Sequence, residues 1–210
     1  GHPTLGSAYV LRKYGATTKN PLCLNFKAGV ISVSTEGDRS FMQHPPAQTL
    51  HELIPSKIIA EALGIPLSSL DGNLPIKVVT TGFPALFIPV NSLSVINSIA
   101  INIQTLNEVL DPLEIDMIYP FCCETLNPDN TVHSRAFAPG LGILEDPATG
   151  SVAGAMGAYW ASLSNEVDIS MVIEQGYAMQ RPSLIHVEVS NREIQKIRVG
   201  GQCQSVFTGL

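Results

Sequence analysis

The spacing of apolar residues changes period several times along the chain. TLGSAYVLRKY (4–14) has helical spacing and predicts a short helix. From residue 22, LCLNFKAGVISVSTEGDRSFMQ alternates in strand fashion, with turn signals at Ala28-Gly29 and Glu36-Gly37-Asp38. HPPAQTLHEL reads as a loop leading to a helix over IPSKIIAEALGI, with Ser56 as cap and Gly64 as stop. PLSSLDGN is rich in turn residues, and PIKVVTTG and FPALFIPV read as strands. SLSVINSIAINIQTLNEVL predicts a helix followed by a strand or a second helix, EIDMIYPFCCE a buried strand, and VHSRAFAPG a strand ending in a loop. SVAGAMGAYWASL is a helix; ISMVIEQGYAM, SLIHVEVS, EIQKIRVGG and CQSVFTG all read as strands. Many short strands, few helices and no βαβ rhythm give an α+β class.

At 210 residues the chain can form one large domain or two small ones, each with a real core. Its 12 basic residues against 18 acidic ones leave a formal charge of −6. Arg12, Lys13, Lys57 and Lys77 build no basic patch, and the nearest approach is NREIQKIRV, so nucleic acid and anionic membrane are poor candidates as partners. No signal peptide opens the sequence and no apolar run reaches the roughly 18–20 residues of a membrane span, which leads to the expectation of a soluble, cytoplasmic protein. Cys23, Cys122, Cys123 and Cys203 form no CxxC and read as buried small hydrophobes, with Cys122 and Cys123 on opposite faces of a strand. His51, His133 and His186 have no metal-ligand spacing with any cysteine or carboxylate.

Candidate chemistry concentrates in EDPATGS (145–151), just ahead of the small-residue helix. Asp146 has the character of an N-cap, and Pro147 suits a first helical position. Thr149, Gly150 and Ser151 then place N–H donors and hydroxyls around a positive helix end, which is either an anion site in outline or a plain cap. The chain's opening, HPTLGSA (2–8), lays over DPATGSV (146–152): an acid–base residue, Pro, then Gly and Ser four and five positions on, then a small-apolar helix. His2 carries an imidazole, a side chain able to give and take a proton, or is a histidine of no consequence. Glu145 is expected to point away from Asp146, since adjacent carboxylates in one pocket repel.

GHPTLGSA, SRAFAPGLGILEDPATGSVAGAMGAYW, GYAMQRPSLIHVEV and VGGQCQSVFTG together resemble the phenazine-biosynthesis-like isomerase and epimerase family, relatives of diaminopimelate epimerase. The four blocks span nearly the whole chain. The resemblance implies a diaminopimelate-epimerase-like α+β fold: two similar domains, each a curled sheet around a central helix, with the active site between them. The remainder of the first domain would be residues 1–76, the second domain 77–197, and 198–210 a strand returning to the first. The helices after His2 and after Asp146 would be the two central helices, their N-termini facing one another across the cleft.

That family's best-known members isomerise dihydro-hydroxyanthranilate by moving a proton, without metal or organic cofactor. Its racemase and epimerase relatives use two cysteines at the helix starts; neither place carries one here, so a two-thiol mechanism does not apply. Carried over by position, His2 and Asp146 are the catalytic candidates. Gly1, Thr149, Gly150 and Ser151 are the substrate-binding ones, with Gly1, Gly150 and neighbouring amides as a carboxylate nest. Arg135 and Pro139 are expected to shape the loop, and Gln43 and His44 to lie at a rim. The implied function is a cofactor-independent isomerase or epimerase acting on a small carboxylate-bearing metabolite, as a homodimer at family level. The family's general acid–base glutamate belongs to a stretch upstream of GHPT, and Glu36, Glu52 and Glu61 lie in the wrong contexts to replace it. The first domain is therefore expected to be N-terminally incomplete as given, and a carboxylate-binding or interaction protein with impaired catalysis is the alternative.

Overall fold

The computed structural model describes residues 1–27, 29–52, 54–190 and 196–206. Helix α1 (His2–Lys13) is followed by β1 (Leu22–Phe26), β2 (Gly29–Glu36), β3 (Arg39–His44), β4 (Gln48–His51) and α2 (Ser56–Leu63). Then come β5 (Lys77–Thr80), β6 (Pro84–Pro89), α3 (Leu93–Ser98), α4 (Ile103–Leu110), β7 (Ile118–Cys122), β8 (Val132–Ser134), β9 (Ala136–Ala138) and β10 (Ile143–Asp146). Helix α5 (Gly150–Ala161) and strands β11 (Asp168–Gln175), β12 (Ser183–Ser190) and β13 (Lys196–Gln202) complete the order.

The strands join in the order β1-β2-β3-β13-β12-β11-β8-β7-β6-β5-β4, with β9 pairing β7 and β10. Pairing is antiparallel except at β6–β7 and β8–β11. The near-continuous apolar runs of β6 and β7 mark strands covered on both faces. Ala85, Phe87, Tyr119 and Phe121 face one core, and Leu86, Ile88, Ile118 and Cys122 face the other. Helix α5 occupies the first core and touches β5 and β6 on one side and β11, β12 and β13 on the other, so the sheet curls around it. Small residues allow this: nine of its twelve residues are buried. A Cβ on Gly157 would lie 2.5 Å from Val187 Cγ1, and one on Gly154 2.6 Å from His44 Nδ1.

Helices α2 and α4 fill the second core. Because β4 pairs β5 and α2 packs with α4, β4 and α2 associate with the elements from residue 77 onward rather than with α1. A smaller third cluster joins Ala8 of α1 to Leu22, Val33 and Met42. Strand β13 pairs β12 on one edge and β3 on the other, and so links the sheet around α1 to the sheet around α5.

Several local expectations are corrected. QTLH, read as loop, is a strand: its side chains are exposed and carry no alternating burial to betray it, but its backbone pairs β5. Ser56 does not cap α2; it is the first helical residue, Pro55 is the N-cap, and no side chain caps the helix. Gly64 does stop it, with φ 66 in the left-handed region. The open choice after α3 resolves as the helix α4, capped by the Asn102 side chain on Thr105 N–H. Of the cysteines only Cys122 is buried; Cys123, pointing the other way, and Cys23 are exposed, and Cys203 is half-buried. CQSVFTG was expected to be a strand, but residues 203–206 are not in one and 207–209 lie outside the described residues, as do Ala28 of the first turn and residues 193–195 of EIQKIRVGG. No described helix is long and apolar enough to cross a membrane.

Candidate active site

The starts of the two twelve-residue helices, α1 and α5, meet. A Cβ built on Gly1, the N-cap of α1, would lie 3.6 Å from Gly150 Cα and 3.8 Å from Ser151 N. Helix geometry leaves the first N–H groups without partners inside the helix, so two positive ends share one corner. Gly1, His2 and Gly150 line a cavity of about 640 Å³, together with Leu5, Met42 and Asp129 among others. His2 is exposed at its edge. Arg39 and His186 also line it; burial first, then the Arg39 charge, lowers the His186 imidazole from its ordinary value. Asp146, Thr149 and Ser151 do not line this cavity: Thr149 is buried, Asp146 half-buried and Ser151 exposed beside it.

Asp146 is not the helix cap that the Asp-Pro pair suggests. It ends β10, and α5 begins only at Gly150 with Thr149 as N-cap and no side-chain cap bond. Asp146-Pro147-Ala148 makes a turn instead, and Asp146 Oδ2 accepts from Thr149 Oγ1 at 2.7 Å. Gly176 (φ +81) permits the close packing of this turn: a Cβ there would lie 2.6 Å from Pro147 O and 2.4 Å from Arg181 O.

Beneath the turn lies a residue that sequence reasoning missed. Gln175, fully buried at the end of β11, uses every hydrogen-bonding position of its amide. Its Oε1 accepts from Tyr119 Oη (2.9 Å) and Thr149 N (3.2 Å). Its Nε2 donates to Asp146 O (2.7 Å) and Thr149 Oγ1 (2.8 Å). Burial pushes the Tyr119 phenol above its ordinary value, which keeps it protonated and able to donate. The available signal was a polar pair, Glu174-Gln175, closing an apolar strand just before a glycine.

Glu174 organises the neighbouring loop. Its carboxylate accepts from Leu126 N, Asn127 N, Asn130 Nδ2 and His133 Nδ1, the last at 2.7 Å. Burial alone would push this carboxyl up, but those hydrogen bonds outweigh it and hold it below the usual value. Asp129 and Asn130 of that loop line the cavity. Arg135 is committed elsewhere: Nε and Nη2 grip the Glu145 carboxylate at 2.9 and 2.8 Å, and Nη1 donates to Ile96 O and Ile99 O. The pair turns Glu145 away from Asp146 and anchors the β9–β10 hairpin that delivers it. His44 is buried behind the helix starts, with Nδ1 3.1 Å from Thr81 Oγ1. Among the described residues no group of three or more His, Cys, Asp and Glu side chains is arranged to hold a metal ion.

The model of the phenazine biosynthesis-like protein family matches residues 1–209. The chain belongs to that family. An uncharacterized isomerase of Bacillus subtilis is 30% identical over 215 residues, an alignment covering 100% of this chain and 71% of the relative. The trans-2,3-dihydro-3-hydroxyanthranilate isomerase of Pseudomonas chlororaphis is 28% identical over 206 residues, covering 95% and 68%. A phenazine biosynthesis protein of Bacillus anthracis superposes with a TM-score of 0.86 at 28% identity, over 96% of this chain and 72% of that one. A predicted epimerase of Pseudomonas aeruginosa gives 0.72 at 25% identity, over 99% and 74%. The fold is the epimerase-like α+β fold of the phenazine biosynthesis-like family, and at family level the chain is an isomerase.

Proposed function

We propose that this chain catalyses a cofactor-independent isomerisation or epimerisation in which a proton moves on a small molecule bearing a carboxylate. The contact between the N-termini of α1 and α5 at Gly1 and Gly150 carries the reading. Two helix ends, each equivalent to roughly half a positive charge, favour an anionic group held by their free N–H donors. Thr149 shapes the corner from below, and Gly150 and Ser151 supply its amides. The substrate body extends into the cavity of about 640 Å³, a size suited to a metabolite rather than a polymer. His2, on the first turn of α1, carries or relays the proton. Asp146, steadied by Thr149, orients the substrate or stabilises a positive charge that develops on it.

The relative from Pseudomonas chlororaphis acts on trans-2,3-dihydro-3-hydroxyanthranilate, a carboxylate of this size, which makes that compound the first one to test. Incubation with it and with a panel of amino and dihydroaromatic acids in D2O is expected to give enzyme-dependent deuterium uptake, read by mass spectrometry. No uptake across the panel would sink the proposal. Tight carboxylate binding by calorimetry with no uptake would favour a binding protein built on the same corner.

A further inference from the structure

Tyr119, Gln175, Thr149 and Asp146 form a row of hydrogen bonds whose direction is set by chemistry. Thr149 N–H can only donate and Asp146 C=O can only accept, so the Gln175 amide must present Oε1 to the first and Nε2 to the second. A flipped amide would set donor against donor and acceptor against acceptor. With Oε1 so placed, Tyr119 must donate to it. With Nε2 donating to Thr149 Oγ1, the Thr149 hydroxyl proton is left to point at Asp146 Oδ2. The three side-chain donors, Tyr119 Oη, Gln175 Nε2 and Thr149 Oγ1, therefore all face the same way, from the buried phenol to the carboxylate, while Thr149 N–H donates back to Gln175 Oε1. Such rows polarise cooperatively and favour negative charge at the accepting end.

We propose that Gln175 is a positioning residue: through the Thr149 hydroxyl it fixes which oxygen of Asp146 is occupied and leaves Oδ1 as the oxygen available to a substrate held at the start of α5. Among the described residues no hydrogen bond reaches Oδ1. The inference rests on the role given to Asp146 under Proposed function and adds the device that aims it. Gln175 also holds Asp146 O and Thr149 N, so one amide sets the whole turn ahead of α5.

Carboxyl NMR of protein labelled with ¹³C-aspartate tests the aiming without any substrate, the Asp146 line being assigned by its loss in Asp146→Asn. Gln175→Leu and Thr149→Val are expected to move that line in the same direction, and Thr149→Ser to leave it in place. Thr149→Val keeps the test alive should Gln175→Leu fail to fold, because it preserves side-chain volume, removes only the hydroxyl and leaves Gln175 Nε2 its bond to Asp146 O. A line unmoved in a folded Gln175→Leu or in Thr149→Val overturns the proposal. Where deuterium uptake is measurable, Gln175→Leu is expected to lower kcat about tenfold or more while KM changes less than about threefold, as befits a lost hydrogen bond on the path to a charged group. An unchanged kcat beside a shifted line would also overturn it. Absence of uptake in the unmodified protein would strike the isomerase reading alone, and the carboxyl line would still decide whether Gln175 aims Asp146.

Discussion

Asp146 is where the chemistry of one residue differs most from its sequence context. A cap would be felt mainly in helix stability, whereas a carboxylate taking one hydroxyl bond at the end of β10 leaves α5 nearly independent of its charge. Asp146→Asn keeps an oxygen for Thr149 Oγ1, so its melting point should stay within a few degrees of the parent while deuterium uptake falls by an order of magnitude or more. Equal losses of stability and uptake would return the residue to a structural role.

His44 gives a residue-scale prediction with a definite sign. Burial holds its imidazole down to about 4 in the folded protein, against an ordinary 6.5. Between those values the unfolded chain binds a proton that the folded one refuses, so the contribution is full above pH 6.5 and drains away as pH falls toward 4. From pH 7 to pH 5 the loss should be roughly 2 kcal/mol. Urea unfolding of the parent and of His44→Gln at both pH values checks it: the variant should lose less stability over this interval, and equal losses would refute the assignment.

Among elements, the two central helices differ in how closely they are wrapped. Gly6, within α1, would carry a Cβ into open space, whereas a Cβ on Gly157 of α5 would press on Val187 and Val189. Replacing a helical glycine by alanine gains about 1 kcal/mol of propensity, and overpacking a buried site costs typically 1–3 kcal/mol. At Gly6 the gain stands alone, so Gly6→Ala should stabilise by about 0.5–1 kcal/mol. At Gly157 both clashing atoms belong to stiff β-branched side chains on a buried strand, so crowding wins and Gly157→Ala should destabilise. Denaturant midpoints at constant m-value separate the two outcomes.

The same wrapping explains what was legible beforehand. Strands β6 and β7 and helix α5 declare themselves through unbroken apolar or small-residue runs, because burial on all sides leaves no room for polar side chains. Strand β4 is held by its backbone alone and left no trace in its side chains. The pairing of HPTLGSA with DPATGSV pointed to two helix starts, and these do meet at Gly1 and Gly150. What the motif could not convey was that Asp146 stops three residues short of the N-cap, or that Gln175, 26 residues beyond Thr149 in sequence, holds it. Hydrogen-bond partners chosen by tertiary packing have no local signature.

At the scale of the whole molecule, stability should be uneven. The cores on either side of β6 and β7 draw on many large side chains, Phe87, Tyr119, Phe121, Tyr159 and Leu63 among them. The cluster beneath α1 centres on Ala8, Leu22, Val33 and Met42, and Val10 and Leu11 of α1 are exposed. At about 25 cal/mol per Å² of buried apolar surface, the smaller cluster resists opening far less. Strand β13 nevertheless ties the regions through a ladder running from β3 to β12, so the α1 sheet should open as a unit up to β3 while β13 stays with β12. Amide exchange under native conditions should therefore find β1 and β2 on the order of 100-fold less protected than β11 and β12, with a step in protection at β3. Since His2 and Gly1 belong to the weaker unit and Gly150 and Asp146 to the stronger, a carboxylate bound where their helices meet would bridge the step. Ligand should then raise protection in β1 and β2 selectively, by the free energy of binding. Uniform protection across β1–β3 and β11–β13 without ligand would show instead a single cooperative unit, in which the helix starts are held together whether or not anything is bound between them.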